Sequence, residues 1–221
     1  MTENTQSLLF ITDIDGTVLN SRNSITKAIV DTIFHFSSTV MDQEYFPPFI
    51  GTPIREVLVS FLPHSEIDDA VIFFRERLIE IGNQESCLMP FAETVLSAFR
   101  ENGIAVCAAS NKHASLAEIV LKQQGVREYF DAVYGSDSYA PKPSGEMIDA
   151  AKREFPALQS FMLGDRPEDI QAAKSAGVSS IYISNDCDHL LSKNSIIPDY
   201  IISNWLDIFD IKEIREAIQI L

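Results

Sequence analysis

Basic residues are scarce in this chain, and so are cysteines and long apolar runs. Seventeen Lys and Arg stand against 32 Asp and Glu in 221 residues, a formal net charge of −15. A surface of that sign repels nucleic acid and anionic lipid, so neither is expected as a partner. It also repels free phosphate esters. An anionic substrate therefore has to meet a concentrated local positive field inside a shielded pocket. The three cysteines, Cys87, Cys107 and Cys187, are odd in number and lack metal-ligand spacing, which suits reduced thiols and a cytoplasmic protein. No apolar run is long enough to span a bilayer. The first residues, MTENTQSLLF, lack a basic start followed by a long apolar stretch, so no secretory signal is expected. Internal repeats and low-complexity segments are also missing. What remains is an ordinary globular composition, 46% apolar and 22% charged, in a length that suits one large domain or a core with a smaller insert.

Hydrophobic patterning divides the chain. Ser7 to Thr12 is a short apolar run ending in a polar turn and predicts a buried strand. From Ser24 to Ile81 the period becomes helical: Ile25, Ile29, Ile33 and Phe36 recur on one face, as do Ile67, Val71, Phe74, Leu78 and Ile81. No strand is expected there, and the stretch predicts an all-helical insert. Beyond Pro90, helix and strand alternate. Strands are expected at Ile104–Ala109, Asp131–Tyr134, Ser160–Leu163, Ser180–Ile183 and Tyr200–Ile202, with a last amphipathic helix from about Trp205. Such alternation implies an α/β fold: a parallel sheet, covered on both faces, with right-handed crossovers. The links between core and insert fall near Asn20–Asn23 and Cys87–Pro90.

Ligands of open α/β sheets bind beyond the carboxyl ends of the strands. Four of those ends carry polar chemistry. The first is Asp13-Ile14-Asp15-Gly16-Thr17. In extended chain, residues two apart point to the same side. Two adjacent carboxylates repel unless a cation joins them or one is protonated. A hard ion such as Mg²⁺ suits them, one Asp being free to attack phosphorus and the other to exchange a proton with the leaving group. Ser110 and Asn111 follow the second strand; a hydroxyl and an amide can hold a phosphoryl oxygen, and both are also ordinary helix caps. Lys142 stands between Pro141 and Pro143, which restrict its backbone; a fixed ammonium there would lessen carboxylate repulsion and neutralise phosphate charge. The fourth end is Gly164-Asp165-Arg166-Pro167-Glu168-Asp169, with Asp165 expected at an N-cap, Pro167 in the first turn and Asp169 four residues after Asp165. The plain reading of each end is a polar turn or a cap. Their joint occurrence at successive strand ends points to one site.

These segments carry a resemblance. DIDGTVLNS from Asp13, AASNK from Ala108, PKPSGEM from Pro141 and GDRPEDIQAAKSAGV from Gly164 resemble, in order, the motifs of the haloacid dehalogenase-like hydrolase superfamily. The likeness is greatest to the phosphoglycolate phosphatase-like branch with a helical cap. The closing PDYIISNWLDI also resembles that family's last strand and helix. The resemblance implies a Rossmann-like core, residues 1–21 and 88–221, with a mobile cap at 22–87 inserted after the first strand. It implies a phosphatase acting on a small phosphorylated metabolite, as a monomer or homodimer. Asp13 would be the nucleophile and Asp15 the general acid, then base. Ser110 and Lys142, with Asn111 beside Ser110, would hold the phosphoryl group. Mg²⁺ would be bound by Asp13, the backbone carbonyl of Asp15, and Asp165, with Asp169 supporting it directly or through water. The chain departs from many relatives in having Asn20 in Val18-Leu19-Asn20-Ser21, at the hinge, and Arg166 directly after Asp165.

The insert should choose the leaving group. Thr52 is expected as an N-cap and Pro53 as the first helical residue, which places Arg55 in a first turn where an anion would justify it; the plain alternative is an exposed salt bridge. A dehalogenase is disfavoured because such relatives lack the second acid, here Asp15. A phosphonatase would need a cap lysine, and Lys27 at the edge of the insert is the only lysine before Lys112. A sugar phosphomutase or a pyrophosphatase could use the same aspartates. A non-catalytic phosphate-binding regulatory module predicts damaged motifs, and these are intact.

Overall fold

The computed structural model describes residues 6–184 and 196–218. Six strands form one parallel sheet in the order β5-β4-β1-β6-β7-β8. They are β1 (Gln6–Thr12), β4 (Ala105–Ser110), β5 (Ala132–Gly135), β6 (Ala157–Gly164), β7 (Ser179–Ile183) and β8 (Tyr200–Ile202). The α/β expectation holds, and every expected strand is present within a few residues; β6 begins three residues earlier than expected. Cys187 lies outside the described residues. Cys87 and Cys107 are both free thiols.

β1 is apolar on both sides because both of its faces are covered. Leu8 and Phe10 pack into one core, Leu9 and Ile11 into the other, and all four are at most 1% exposed. Burying each such side chain contributes about 1.5–3 kcal/mol. One core layer holds α4 (Ala92–Glu101), whose Phe99 lies 4.7 Å from Phe10 between ring centroids. The opposite layer holds α6 (Glu146–Glu154) and α7 (Pro167–Ser175). α5 (Ala114–Gln123) follows β4 and buries Leu116, Ala117, Val120 and Leu121; Gly125 just beyond it has φ +72°, the left-handed cap position its sequence predicts.

Residues 22–85 contain α1 (Arg22–Ser37), α2 (Ile54–Leu58), α3 (Ile67–Glu85) and short 3₁₀ turns, with no strand among them. Ile25, Ala28, Ile29 and Ile33 of α1 face Ile67, Val71, Phe74 and Leu78 of α3 at helical spacing. Lys27–Glu85 and Arg77–Asp31, both 2.7 Å, tie the same pair of helices. The two links to the sheet lie side by side, near the expected Asn20–Asn23 and Cys87–Pro90. Leu19–Asn20 (β2) and Cys87–Leu88 (β3) pair antiparallel, and the Met89 N–H donates to the Val18 carbonyl at 2.9 Å. Entry and exit of the helical segment are thus one two-stranded ribbon.

The chain end also differs from expectation. Trp205–Asp210 is a 3₁₀ helix, and a separate short α8 (Lys212–Ala217) follows the extended Ile211. The indole N–H of buried Trp205 donates to the Thr17 carbonyl at 2.8 Å. The Asn204–Asp207 capping box starts the 3₁₀ segment, and the extended Ile211 separates it from α8.

Candidate active site

Strand register gathers the polar ends. Thr12 lies opposite Ala108 on one side and Leu163 on the other, and Ser110 lies opposite Gly135. Asp13, Ser110 and Asp165 therefore leave the sheet at its carboxyl edge within a residue or two of each other. The Asp13 N–H donates to the Leu163 carbonyl at 2.9 Å, which continues the ladder into the site.

Lys142 reaches this edge from the loop after β5. Its side chain is 3% exposed; Nζ lies 2.5 Å from Asp13 Oδ1 and 2.6 Å from Asp169 Oδ1, and it donates to the Ala109 carbonyl at 2.8 Å. The two carboxylates hold the ammonium protonated, against the opposing effect of burial. Asn111 brackets the Lys142 backbone. Its Oδ1 accepts from the Lys142 N–H at 2.7 Å, and its Nδ2 donates to the Lys142 carbonyl at 3.3 Å and to the Gly51 carbonyl at 3.0 Å. The Asn111 side-chain amide is thus fully engaged with backbone, whereas the sequence placed it beside Ser110 on a phosphoryl group. It joins the Lys142 loop to the helical segment. Ser110 is 2% exposed and lines the cavity, its Oγ accepting from the Lys112 N–H at 3.2 Å.

Carboxylate oxygens of Asp13, Asp165 and Asp169 lie within 4.8 Å of one another. Asp165 is not the N-cap of α7. Arg166 holds that place, and Asp165, one residue earlier, accepts from the Thr17 hydroxyl at 3.2 Å. Asp169 serves the helix start instead, accepting from the Arg166 N–H at 3.0 Å through Oδ2 while Oδ1 meets Lys142. Two glycines make room for this crowding. A Cβ on Gly16 (φ +88°) would stand 2.3 Å from Asp165 Oδ2, and one on Gly164 would stand 2.3 Å from Asp169 Cγ. Burial, with the Asp169 and Asp15 charges adding to it, pushes the Asp13 carboxyl from 3.8 up to about 7, although Lys142 opposes the rise. Burial and the charges of Asp169 and Asp13 push Asp165 well up too.

A clustered set of hard carboxylate donors fits a small divalent cation, which takes few carboxylates and little else from the protein. Asp13 and Asp165 retain oxygens that Lys142 and Thr17 do not use. Both oxygens of Asp169 are engaged, so it suits a supporting place. Asp15 is outside the cluster. Its Oδ1 accepts from the Ser21 hydroxyl at 2.7 Å, and its Oδ2 lies 3.0 Å from the Lys112 ammonium. Thr17, Ser21 and Lys112 were not singled out from sequence. All three stand inside the quoted motifs, but spacing along the chain does not show that they meet the carboxylates of Asp165 and Asp15.

This electrostatic arrangement has a consequence for pH. Asp13 and Asp165 bind protons more tightly folded than unfolded. Without a divalent ion, the stability they contribute is greatest below their ordinary range and is lost as pH rises through about 7 for Asp13. A divalent ion binds the ionised forms, so Mg²⁺ raises Tm more near about pH 8 than near about pH 5. Thermal melts with and without Mg²⁺ at both pH values check this, and equal shifts count against the cluster as the ion site.

A cavity of about 330 Å³ opens above the cluster. Its floor includes Asp13, Asp15, Ser110 and Lys142, and its roof comes from α1, α2 and α3. Arg55 lines it too, but its side chain is 58% exposed and pairs with Asp68. Its helix is five residues long and capped at Pro53, not at Thr52 as expected. Arg166 lines the cavity and lies 3.4 Å from Glu168.

A parallel sheet with an acid cluster and a buried ammonium at its carboxyl edge gives the chain a Rossmann-like α/β fold with its polar site where such sheets bind ligands. Residues 10–183 match the haloacid dehalogenase-like hydrolase family, and the chain belongs to it. It is 23% identical over 212 residues to a phosphoglycolate phosphatase of Vibrio parahaemolyticus, covering 90% of this chain and 93% of that one. A Clostridium perfringens protein carrying the provisional name pyrophosphatase PpaX is 25% identical over 204 residues, covering 91% and 95%. Among solved structures, one from Haemophilus somnus 129PT, described as a predicted phosphoglycolate phosphatase, superposes with a TM-score of 0.82 at 22% identity, covering 94% and 99%. No helix among the described residues is long and apolar enough to cross a membrane.

Proposed function

We propose that this protein is a Mg²⁺-dependent phosphatase that hydrolyses a small phosphate monoester through an aspartyl-phosphate on Asp13. The observation that carries this reading is the meeting of Asp13 with Lys142 at 2.5 Å beside Asp165 and Asp169, from segments more than a hundred residues apart in sequence. Asp13 attacks phosphorus with the oxygen that Lys142 leaves free, and the bond from phosphorus to the leaving oxygen breaks. Asp15 gives that oxygen a proton. It then takes one from water, which attacks the phosphorus of the aspartyl ester, releasing inorganic phosphate and restoring Asp13. Lys142 and the Ser110 hydroxyl hold the equatorial oxygens as charge shifts onto them. Bound by Asp13, Asp165 and the Asp15 carbonyl, Mg²⁺ would neutralise phosphoryl charge. Residues 22–87 act as a cap that excludes water from the cavity and meets the leaving group.

The name of the Clostridium perfringens relative supports pyrophosphate as an alternative substrate on the same residues. The test is release of inorganic phosphate from para-nitrophenyl phosphate, phosphoglycolate, a hexose phosphate and pyrophosphate, with Mg²⁺ and with chelator. Mg²⁺-dependent release is expected. Isomerisation of the hexose phosphate with little free phosphate would make the protein a mutase. Silence across all four would favour a phosphate-binding module.

A further inference from the structure

Five Lys and Arg side chains line the cavity: Arg55, Arg75, Lys112, Lys142 and Arg166. Four are already partnered, Arg55 by Asp68, Lys112 by Asp15, Lys142 by Asp13 and Asp169, and Arg166 by Glu168. Arg75 has no side-chain partner among the described residues. Glu56 also lines the cavity, but it is exposed and forms no ion pair with Arg75.

The position of Arg75 on α3 makes this unusual. It lies four residues after Val71 and three before Leu78, at the edge of the buried stripe that also holds Phe74. Ile72, 54% exposed, and the exposed Glu76 and Glu80 occupy the outer face. Arg77, on the same helix, is satisfied by Asp31 and Glu80. Arg75 as a residue is half-buried, and hydration that a guanidinium loses at such a place is compensated only when an anion reaches it. The roof around it is otherwise largely apolar, from Ile25, Ile29, Phe49, Val71 and Phe74.

We infer that Arg75 receives a second anionic group of the substrate, at the end of the leaving group opposite the phosphoryl. This rests on the phosphatase reading and narrows it. The preferred substrates are small phosphate esters carrying a carboxylate or a second phosphate on a short carbon linker that the apolar roof covers. The planar fork of Arg suits either anion, which it can bind through two parallel hydrogen bonds. The cavity volume of about 330 Å³ is at the small end for ligand sites, which suits a linker of a few carbons.

Non-hydrolysable phosphonates test this without turnover. Binding of 3-phosphonopropionate, propane-1,3-bisphosphonate and propylphosphonate is measured by calorimetry in Mg²⁺, with wild type, Arg75→Gln and Arg75→Lys. Wild type is expected to bind at least one doubly anionic probe about tenfold or more tightly than propylphosphonate, as a charge-assisted bond requires. Which of the two binds better tells carboxylate from phosphate. Arg75→Gln erases the preference and leaves propylphosphonate binding unchanged, and Arg75→Lys restores part of it. Equal binding of all three by wild type, a preference that survives in Arg75→Gln, or no binding of any probe overturns the inference. Failure of the phosphatase reading shows separately, as absence of phosphate release from every ester in the assay above.

Discussion

Asp13→Asn is expected to abolish turnover while leaving the fold intact. The amide fills the same volume but cannot attack phosphorus. Removing a nucleophile that acts together with its neighbours costs roughly four to six orders of magnitude in kcat. The stability side of the argument is independent. Asp13 is buried and its carboxyl is pushed up to about 7, so its ionised form is a burden on the metal-free fold near neutral pH. A neutral amide relieves part of that repulsion, and Lys142 keeps Asp169 as a partner at 2.6 Å. The variant should therefore melt at or above the wild-type temperature without Mg²⁺ and gain less from adding it. Measurable steady-state turnover by purified Asp13→Asn would mean that the nucleophile is misassigned.

Lys142→Ala is expected to fail in both activity and stability. Transition-state stabilisation of about 2.7–4 kcal/mol should be lost, a fall of roughly a hundred- to a thousandfold in kcat. Breaking a buried ion pair by removing one partner costs about 3–5 kcal/mol more in folding free energy, because Asp13 and Asp169 are left facing each other. These effects differ from those at Asp13 in one telling way. Mg²⁺ should restore much of the lost stability, since it supplies charge at the cluster, but little of the lost rate. Kinetics and melts of the one variant, with and without Mg²⁺, separate them. A rate change below tenfold would remove Lys142 from the chemistry.

Much of this was legible in the residue order, and some could not be. The run Leu8–Leu9–Phe10–Ile11 has no polar face, so it had to be a strand covered on both sides. Asp13 and Lys142 were legible as an acid and a constrained cation, 129 residues apart and joined in the structure at 2.5 Å. The helical segment was legible because its 3.6-residue period runs unbroken through Ile25, Ile29 and Ile33. Its paired β2–β3 stem was not, because two residues per strand are too few to show any period.

By itself, then, the sequence determined the element types, their alternation and the chemical inventory at the strand ends, since these follow from local periodicity and residue type. Tertiary structure alone decided who meets whom. It turned Asn111 into a bracket on Lys142, drew Arg55 to Asp68, gave Asp15 the ammonium of Lys112 and left Arg75 without a side-chain partner among the described residues. Ion pairs and side-chain hydrogen bonds act over a few ångströms, so they depend on how helices and strands dock in space, which no spacing along the chain encodes.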